Sequence, residues 1–386
     1  MRKTYEELEQ IKKGNNVETL WSWSRINTYK SDPYGYYLKY IRKTKEDRQD
    51  SIYTISGSVC HDILEKYYNG KIKQKDMIDE YEDSLMTMNL GEFKYDRNDE
   101  EKNKLIADKY EGCIKHFFRY HQKPENLKMA TELFCLVKIT DNILFNGYID
   151  NFGVYRDANG EKRIIITDYK TSTIYKGEKL EKESAQLYLY AEGVRQQTNM
   201  SLDHISIRYL FMKYVNVKVC QANGKWKERQ IERNQIGSKL IASVRMWLNK
   251  LGYNAEDYIN DILLTNCLDS LPKDVQEKFI IEDCYVYLPL NEQIIDSLKQ
   301  DIIETVSEIE NKEKEYSKTK DDKVWWTEIT SSNEYFFNCL SGYSRKLHKP
   351  YDEYMQKKEM FNNNLSTGTV NDNDEDDELL ELLKNL

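Results

Sequence analysis

The spacing of hydrophobic residues changes along the chain and divides it into helical and strand-forming stretches. In the first 130 residues apolar positions recur at helical spacing, as in SGSVCHDILEKYYNG, where a glycine marks the end of the helix. From 131 to 214 the runs ELFCLVKIT, ILFNGYIDNFGVYRD and EKRIIITDYKT are rich in β-branched and aromatic residues, and short turns separate them. A helical run, EKESAQLYLYAEGVRQQTN, and a fourth strand, HISIRYLFMKYVNVKVC, follow. The pattern predicts a β-β-β-α-β unit that begins with an antiparallel meander.

The rest of the chain is predicted to be mostly helical. RQIERNQIGSKLIASVRMWLNKLG and LNEQIIDSLKQDIIETVSEIENKEKEY have the spacing of amphipathic helices, and residues 253–290 between them show no clear pattern. We therefore expect an α/β fold with a mixed central β-sheet flanked by helices. Residues 1–130 form a helical region packed on the core, 131–214 the core itself, and 215–360 a helical region of the same domain. Residues 361–386 have too few apolar positions to order and form a disordered acidic tail with a leucine-rich end.

Charge and cysteine content narrow the class of protein. The net charge is −9, but the last sixteen residues, NDNDEDDELLELLKNL, hold seven acids and one lysine and so carry −6 of it. The remaining −3 leaves room for basic patches that bind a polyanion. Seven cysteines without a CxxC pair, no long apolar run and no signal segment predict a soluble, cytoplasmic protein without disulfides. The Tyr-, Lys- and Asn-rich composition suggests an AT-rich coding sequence, as in a phage or a low-GC host.

Two carboxylates near the ends of neighbouring strand runs are the strongest chemical signal. Asp150 ends GYID and Asp168 ends IIITD, and because the second run continues past Asp150, the two residues can face each other across the strand pair. Two close carboxylates repel unless a cation lies between them, and oxygen ligands suit Mg²⁺ or Mn²⁺. Lys170 projects to the same face as Asp168. Such a site favours attack of water on a phosphodiester; the alternative is an exposed Asp-x-Lys ion pair.

Two helical pairs accompany these strands. His61 and Glu65 are one turn apart in GSVCHDILE, beside an apolar stripe, and Gln186 and Tyr190 have the same spacing in QLYLY, directly after the Asp-x-Lys strand. Taken alone, His61 is compatible with a structural role, and QLYLY with an ordinary amphipathic helix.

The motifs GSVCH, GYID, DYKTS and QLYLY occur in this order, and the chain thereby resembles the RecB-like branch of the PD-(D/E)XK nuclease superfamily, which includes the nuclease domains of RecB- and AddB-type proteins and phage exonucleases. The resemblance covers Gly57 to about Tyr214. It implies a Mg²⁺- or Mn²⁺-dependent deoxyribonuclease, most often an exonuclease, that acts on DNA in recombination, repair or phage replication. A nuclease-fold DNA-binding scaffold without activity and a structure-specific endonuclease are the alternatives.

The resemblance also implies roles for individual residues. The expected metal ligands are His61, Asp150, Asp168 and the main-chain carbonyl of Tyr169. Lys170 is the expected catalytic lysine. Gln186 and Tyr190 are expected to position the site or the DNA, and Glu132 matches a further acid of the branch.

The sequence departs from the branch in its cysteines. Many members hold an iron–sulfur cluster with four cysteines, but here Asp32 precedes Pro33-Tyr34, and Ser341 and His348 follow Cys339 where further cysteines are expected. We therefore predict no cluster. A zinc site of Asp32, Cys339 and His348 is the alternative, although its spacing fits no standard pattern. No GxxxxGK[ST] motif is present, so we expect any helicase to be a separate subunit.

Two segments outside the core have two interpretations each. The segment Trp21–Lys43 mixes aromatic and basic residues, and either contacts DNA or packs its aromatics onto the core. The acidic tail with its terminal leucines is either a docking element for a protein partner, a DNA mimic, or a solvated tail without function. The oligomeric state is not predicted.

Overall fold

A computed structural model of the chain describes residues 2–48, 51–96, 98–327, 329–334, 336–344, 347–348, 356–357 and 360. The chain divides into two compact units. The larger unit comprises Met1–Leu20 and Ser51–Leu298, and the smaller unit comprises Trp21–Asp50 and Lys299–Leu386. The predicted tail, residues 361–386, lies outside the described residues.

The strands within the described ranges are β1 (Leu20–Trp21), β2 (Lys128–Lys138), β3 (Leu144–Arg156), β4 (Lys162–Lys170), β5 (Ile205–Cys220), β6 (Trp226–Glu232) and β7 (Phe279–Leu288). The strands β2, β3 and β4 pair antiparallel in chain order, which confirms the predicted meander. β4 then pairs parallel with β5, whose other neighbours β6 and β7 are both antiparallel to it. The sheet is therefore mixed, as predicted.

The helices of the described ranges are α1 (Tyr5–Asn15), α2 (Trp23–Ser31), α3 (Pro33–Tyr36), α4 (Ile52–Tyr68), α5 (Asp76–Leu90), α6 (Glu100–Tyr120), α7 (Glu178–Thr198), α8 (Ile236–Leu251), α9 (Glu256–Thr265), α10 (Lys273–Gln276) and α11 (Glu292–Thr319). A parallel strand pair needs a long crossover connection, and α7 supplies it between β4 and β5. None of the described helices is long and apolar enough to cross a membrane.

Two buried clusters fix six helices of the larger unit on the sheet. Apolar side chains of α4, α5 and α6 pack on Tyr169 of β4 and on Leu210 and Met212 of β5. Further along β5, Val215, Val217 and Val219 pack instead against α8, α9 and α10. The register of β5 against β7 shifts between Leu210 and Val215, so the two halves of β5 meet different helices. The first cluster lies directly behind the strand ends that carry the predicted site.

The strand β6 lies where the hydrophobic pattern predicts a helix. The predicted helix from Arg229 instead begins as β6 and becomes helical at Ile236. The reason is that β6, WKERQIE, buries Ile231 and leaves most of its other side chains in solvent, so it lacks the alternation that identifies a strand. β7 lies in the stretch 253–290 that showed no pattern, together with α9 and α10.

The smaller unit is built around the indole of Trp325. This side chain is fully buried, and the rings of Tyr36 and Tyr37 stack on it at centroid distances of 5.7 and 6.0 Å. Tyr29 and Tyr34 are also buried. Most of the aromatic residues of the segment Trp21–Lys43 are therefore packed in the interior rather than presented to DNA.

Candidate active site

Asp150 and Asp168 lie next to each other where the strands β3 and β4 separate. The last pair of the ladder is Asn151 with Thr167, so the same register places Asp150 beside Asp168. Beyond that pair the Asp150 side chain provides the next hydrogen bond between the strands: its Oδ2 accepts a hydrogen bond from the main-chain N–H of Tyr169 at 3.1 Å. A carboxylate thus replaces a backbone carbonyl as the acceptor at the point where the two strands diverge.

Asp168 is buried beside the amine of Lys170. The Lys170 Nζ lies 2.6 Å from Oδ2 of Asp168, although this oxygen makes no hydrogen bond of good geometry. Burial and the charge of Asp150 raise the pKa of Asp168, and the ammonium of Lys170 only partly offsets them. Burial acts to lower the pKa of Lys170, but the Asp168 carboxylate outweighs it and keeps the pKa above its ordinary value. Lys170 is therefore a cation in this site.

The imidazole of His61 reaches both strands from helix α4, which Ser51 caps through its side chain. Its Nε2 lies 3.1 Å from the carbonyl oxygen of Tyr169, and its Nδ1 lies 3.4 Å from Oδ2 of Asp150. Burial acts to lower the pKa of His61, but the hydrogen bond and charge of Asp150 outweigh it and raise the pKa. The same contact helps to hold the pKa of Asp150 below its ordinary value, against the effect of burial.

Gln186 and Tyr190 lie side by side on α7, and Tyr190 packs against β3. The Nε2 of Gln186 donates to the hydroxyl of Tyr190 at 2.7 Å. A Cβ atom at Gly147 would lie 2.6 Å from this hydroxyl, so the ring fits only over a glycine. Burial raises the pKa of Tyr190, and the charges of Asp150 and Asp168 add to the effect. The glycine of GYID is thus required by Tyr190, a contact that the sequence did not reveal.

A cleft of about 500 Å³ opens in front of His61 and Asp150, and acidic residues line much of it. Its lining consists of Arg2, Tyr53, Thr54, Gly57, Ser58, His61, Asp62, Glu65, Glu132 and Asp150. The Nε of Arg2 donates to Oε2 of Glu132 at 3.0 Å. The register of β2 on β3 places Glu132 opposite Asp150, and Glu132 has a φ of 49°, which only glycine adopts without strain. No local signal relates Arg2 to an acid 130 residues away.

The oxygen and nitrogen atoms of this site are of types that bind a divalent cation. Within the part of the chain that the structure describes, no three His, Cys, Asp or Glu side chains are arranged to hold a metal ion. The amine of Lys170 faces Asp168, and the imidazole of His61 faces Asp150. Two carboxylates, one imidazole and one carbonyl are nonetheless a ligand set that Mg²⁺ or Mn²⁺ accepts.

The residues of the alternative zinc site lie in the smaller unit. Nε2 of His348 is 2.9 Å from both carboxylate oxygens of Asp32, and both residues are almost completely buried. The side chain of Cys339 is outside the described part of the structure. Asp32 and His348 therefore make a buried side-chain contact with each other.

Comparison with known proteins gives one family. The model of the PD-(D/E)XK nuclease superfamily matches residues 20–321, which is most of the chain and includes every residue of the candidate active site except Arg2. No curated protein matches the chain significantly.

Proposed function

This chain belongs to the PD-(D/E)XK nuclease superfamily, and we propose that it is a metal-dependent deoxyribonuclease that degrades DNA from its ends. One observation carries the proposal: the side chains of His61, Asp150, Asp168 and Lys170 meet where β3 and β4 separate, beside an open cleft. Three of the four motifs of the sequence resemblance supply these side chains. The fourth supplies Gln186 and Tyr190, which contact β3 from α7.

The proposed division of roles follows from charge. His61, Asp150, Asp168 and the carbonyl of Tyr169 would hold Mg²⁺ or Mn²⁺, which when bound lowers the pKa of a water molecule and offsets phosphate charge. The Asp168 carboxylate raises the pKa of Lys170, which favours its ammonium form, and we assign it the role of a hydrogen-bond donor and cation. In that form it partly offsets the burial of the Asp168 carboxylate and stabilises negative charge that develops on the phosphate. Tyr190 and Gln186 keep β3 in position.

A cleavage assay with site variants tests the assignment. The purified chain is expected to degrade linear DNA with Mg²⁺ or Mn²⁺ and to stop on addition of EDTA. Asp168→Ala and Lys170→Ala should each lower the rate by about a hundredfold or more, because each removes a charge from the reacting centre. Lys162→Ala, an exposed position at the other end of β4, is the matched control and should retain the rate. Equal activity in all four proteins would exclude this site.

The mode of attack and the biological setting need a second assay. We propose an exonuclease of DNA recombination, repair or phage replication in the cytoplasm, on the strength of the four motifs. Linear and covalently closed circular DNA distinguish the modes, because a circle offers no end. Cleavage of the circle at the rate of the linear form would identify an endonuclease instead, and DNA binding without cleavage of either would identify a scaffold.

A further inference from the structure

A second groove lies in the larger unit, between the β5–β6 hairpin and helix α8. Its volume is about 480 Å³, and its lining consists of Val219, Cys220, Gln221, Ala222, Asn223, Lys227, Arg229, Ser243 and Met246. The groove shares no residue with the candidate active site. Its two charged lining residues, Lys227 and Arg229, are both cations.

The surroundings of the groove are also basic. Helix α8 contains Lys239, Arg245 and Lys250 and no acidic residue, and Lys225 is exposed in the hairpin loop. Arg245 pairs with Glu256, but in the described part of the chain no carboxylate lies within ion-pair distance of Lys225, Lys227, Arg229, Lys239 or Lys250. In a chain of net charge −9 such a concentration of unpaired cations marks a surface for a polyanion.

The nearest acid on β6 points away from the groove. Side chains of a strand alternate between its two faces, so Lys227, Arg229 and the buried Ile231 share the face toward α8. Glu228 lies on the opposite face, in register with Lys218 of β5. The positive charge of the groove is therefore not neutralised from within the hairpin.

Hydrogen bonds hold the groove in shape. Nε1 of Trp247 donates to the carbonyl of Cys220 at 2.6 Å, and Nζ of Lys250 donates to the carbonyl of Ala222 at 3.0 Å. Both bonds tie the hairpin loop to α8. One Nη of Arg229 donates to the carbonyl of Lys239 at 3.1 Å, which orients the guanidinium and leaves its remaining N–H groups for a ligand.

We propose that this groove binds the phosphate backbone of DNA at a distance from the cleavage site. The inference rests on the proposed function and adds a second point of contact with the substrate. β5 runs from Tyr209, which pairs with Asp168, to Val219 in the groove. Ten residues of strand span about 30 Å, which corresponds to roughly nine nucleotides at about 3.4 Å each. DNA longer than this reaches both the active site and the groove, whereas shorter DNA reaches only one of them.

Binding measurements on short and long DNA test the proposal. Two fluorescently labelled DNA duplexes are used: a short one of about six base pairs, closed by a hairpin loop, and a long one of about thirty base pairs. Each is titrated with the full chain in EDTA over a range of salt concentrations. Lys227→Gln with Arg229→Gln should weaken binding of the long duplex several-fold and lower the salt slope by about two, because each lost phosphate contact contributes about 0.9. Binding of the short duplex should weaken less, because it reaches only one of the two sites and can still bind at the other.

Two further variants make the result decisive. Lys225→Gln with Lys227→Gln removes no hydrogen bond seen in the structure and should weaken long-duplex binding in the same way. Lys104→Gln with Lys162→Gln removes the same charge from exposed positions outside the groove and should leave binding as in the wild type. Unchanged affinity and salt slope in both groove variants would overturn the proposal. It would also be overturned if the groove variants bound DNA like the wild type but no longer bound an acidic peptide such as polyglutamate.

The result is separate from the test of catalysis. If the wild type binds long DNA through the groove but cleaves none, the proposed nuclease activity fails and the groove stands. If Asp168→Ala abolishes cleavage while both groove variants bind and degrade long DNA like the wild type, the groove fails and the proposed function stands.

Discussion

Nδ1 of His121 lies 2.6 Å from Oδ2 of Asp283 in the interior of the larger unit. Nε2 of the same imidazole is 2.7 Å from the hydroxyl of Tyr68, whose ring lies parallel to that of Tyr169 at 6.3 Å. Asp283 also pairs with the buried guanidinium of Arg233. Burial acts to raise the pKa of Asp283, but His121 and Arg233 outweigh it and hold the pKa far below its ordinary value.

Asp283→Asn should therefore be strongly destabilising. The change leaves the guanidinium of Arg233 buried without a counter-charge, and loss of one partner of a buried ion pair costs about 3–5 kcal/mol. Urea denaturation measures the free energy of unfolding. The control is Glu282→Gln, the neighbouring residue of β7, whose pair with Lys218 is exposed and contributes at most about 1 kcal/mol. Equal losses in the two variants would contradict the assigned role of the buried pair.

His116 gives the larger unit a predictable sensitivity to acid. Burial, together with the nearby charges of Arg233 and Arg119, lowers the pKa of His116 to about 3. The unfolded chain takes up this proton near pH 6.5, about where free histidine titrates, whereas the folded chain does not do so until about pH 3. The contribution to stability is thus complete above about pH 6.5 and is lost as the pH falls, by up to about 1.4 kcal/mol per pH unit.

His116→Gln should flatten this dependence. The free energy of unfolding is measured by urea denaturation at about pH 7.5 and about pH 5.5, and the wild type is expected to lose roughly 1 kcal/mol more than the variant between them. His61, whose raised pKa acts with the opposite sign, is present in both proteins and cancels in the difference. Parallel profiles would show that His116 takes up its proton normally in the folded state.

The sequence predicts the parts of the site that local patterns encode. Asp150, Asp168 and Lys170 are found because strand alternation and the turn between β3 and β4 determine their relative positions within some twenty residues. His121 with Asp283 and Arg2 with Glu132 are not found, because each pair joins residues more than a hundred positions apart through tertiary packing. β6 is missed for a different reason: most of its side chains are in solvent, so its sequence does not alternate between hydrophobic and polar residues.

Gly147→Ala should disturb the candidate site through Tyr190. The new Cβ would lie 2.6 Å from the ring and hydroxyl of Tyr190, so the ring must move and its hydrogen bond with Gln186 must break. Overpacking of this kind costs about 1–3 kcal/mol. Gly112→Ala is the control. Gly112 lies inside α6, and a Cβ atom there would lie 3.9 Å from Cβ of Asn234, so the variant should gain about 1 kcal/mol in helix propensity. Thermal unfolding measures both, and a stabilised Gly147→Ala would disprove the close contact.

The backbone at Glu132 provides a test that separates strain from charge. Glu132→Ala and Glu132→Gly both remove the carboxylate that pairs with Arg2, so they differ mainly in the cost of holding a φ of 49°. A residue with a Cβ pays about 1–2 kcal/mol in this left-handed region, and glycine does not. We therefore expect the glycine variant to be the more stable by about 1 kcal/mol in urea denaturation.

The same pair of substitutions at Lys138 supplies the matched comparison. Lys138 lies on the same strand, is exposed and has no positive φ, so glycine should be the less stable there by about 0.5–1 kcal/mol, because it loses more backbone entropy on folding. The sign of the alanine-to-glycine difference is thus expected to reverse between the two positions of β2. If the glycine variant were the less stable at both positions, Glu132 would be unstrained. The left-handed backbone at Glu132 would then not contribute to the shape of β2 beside Asp150.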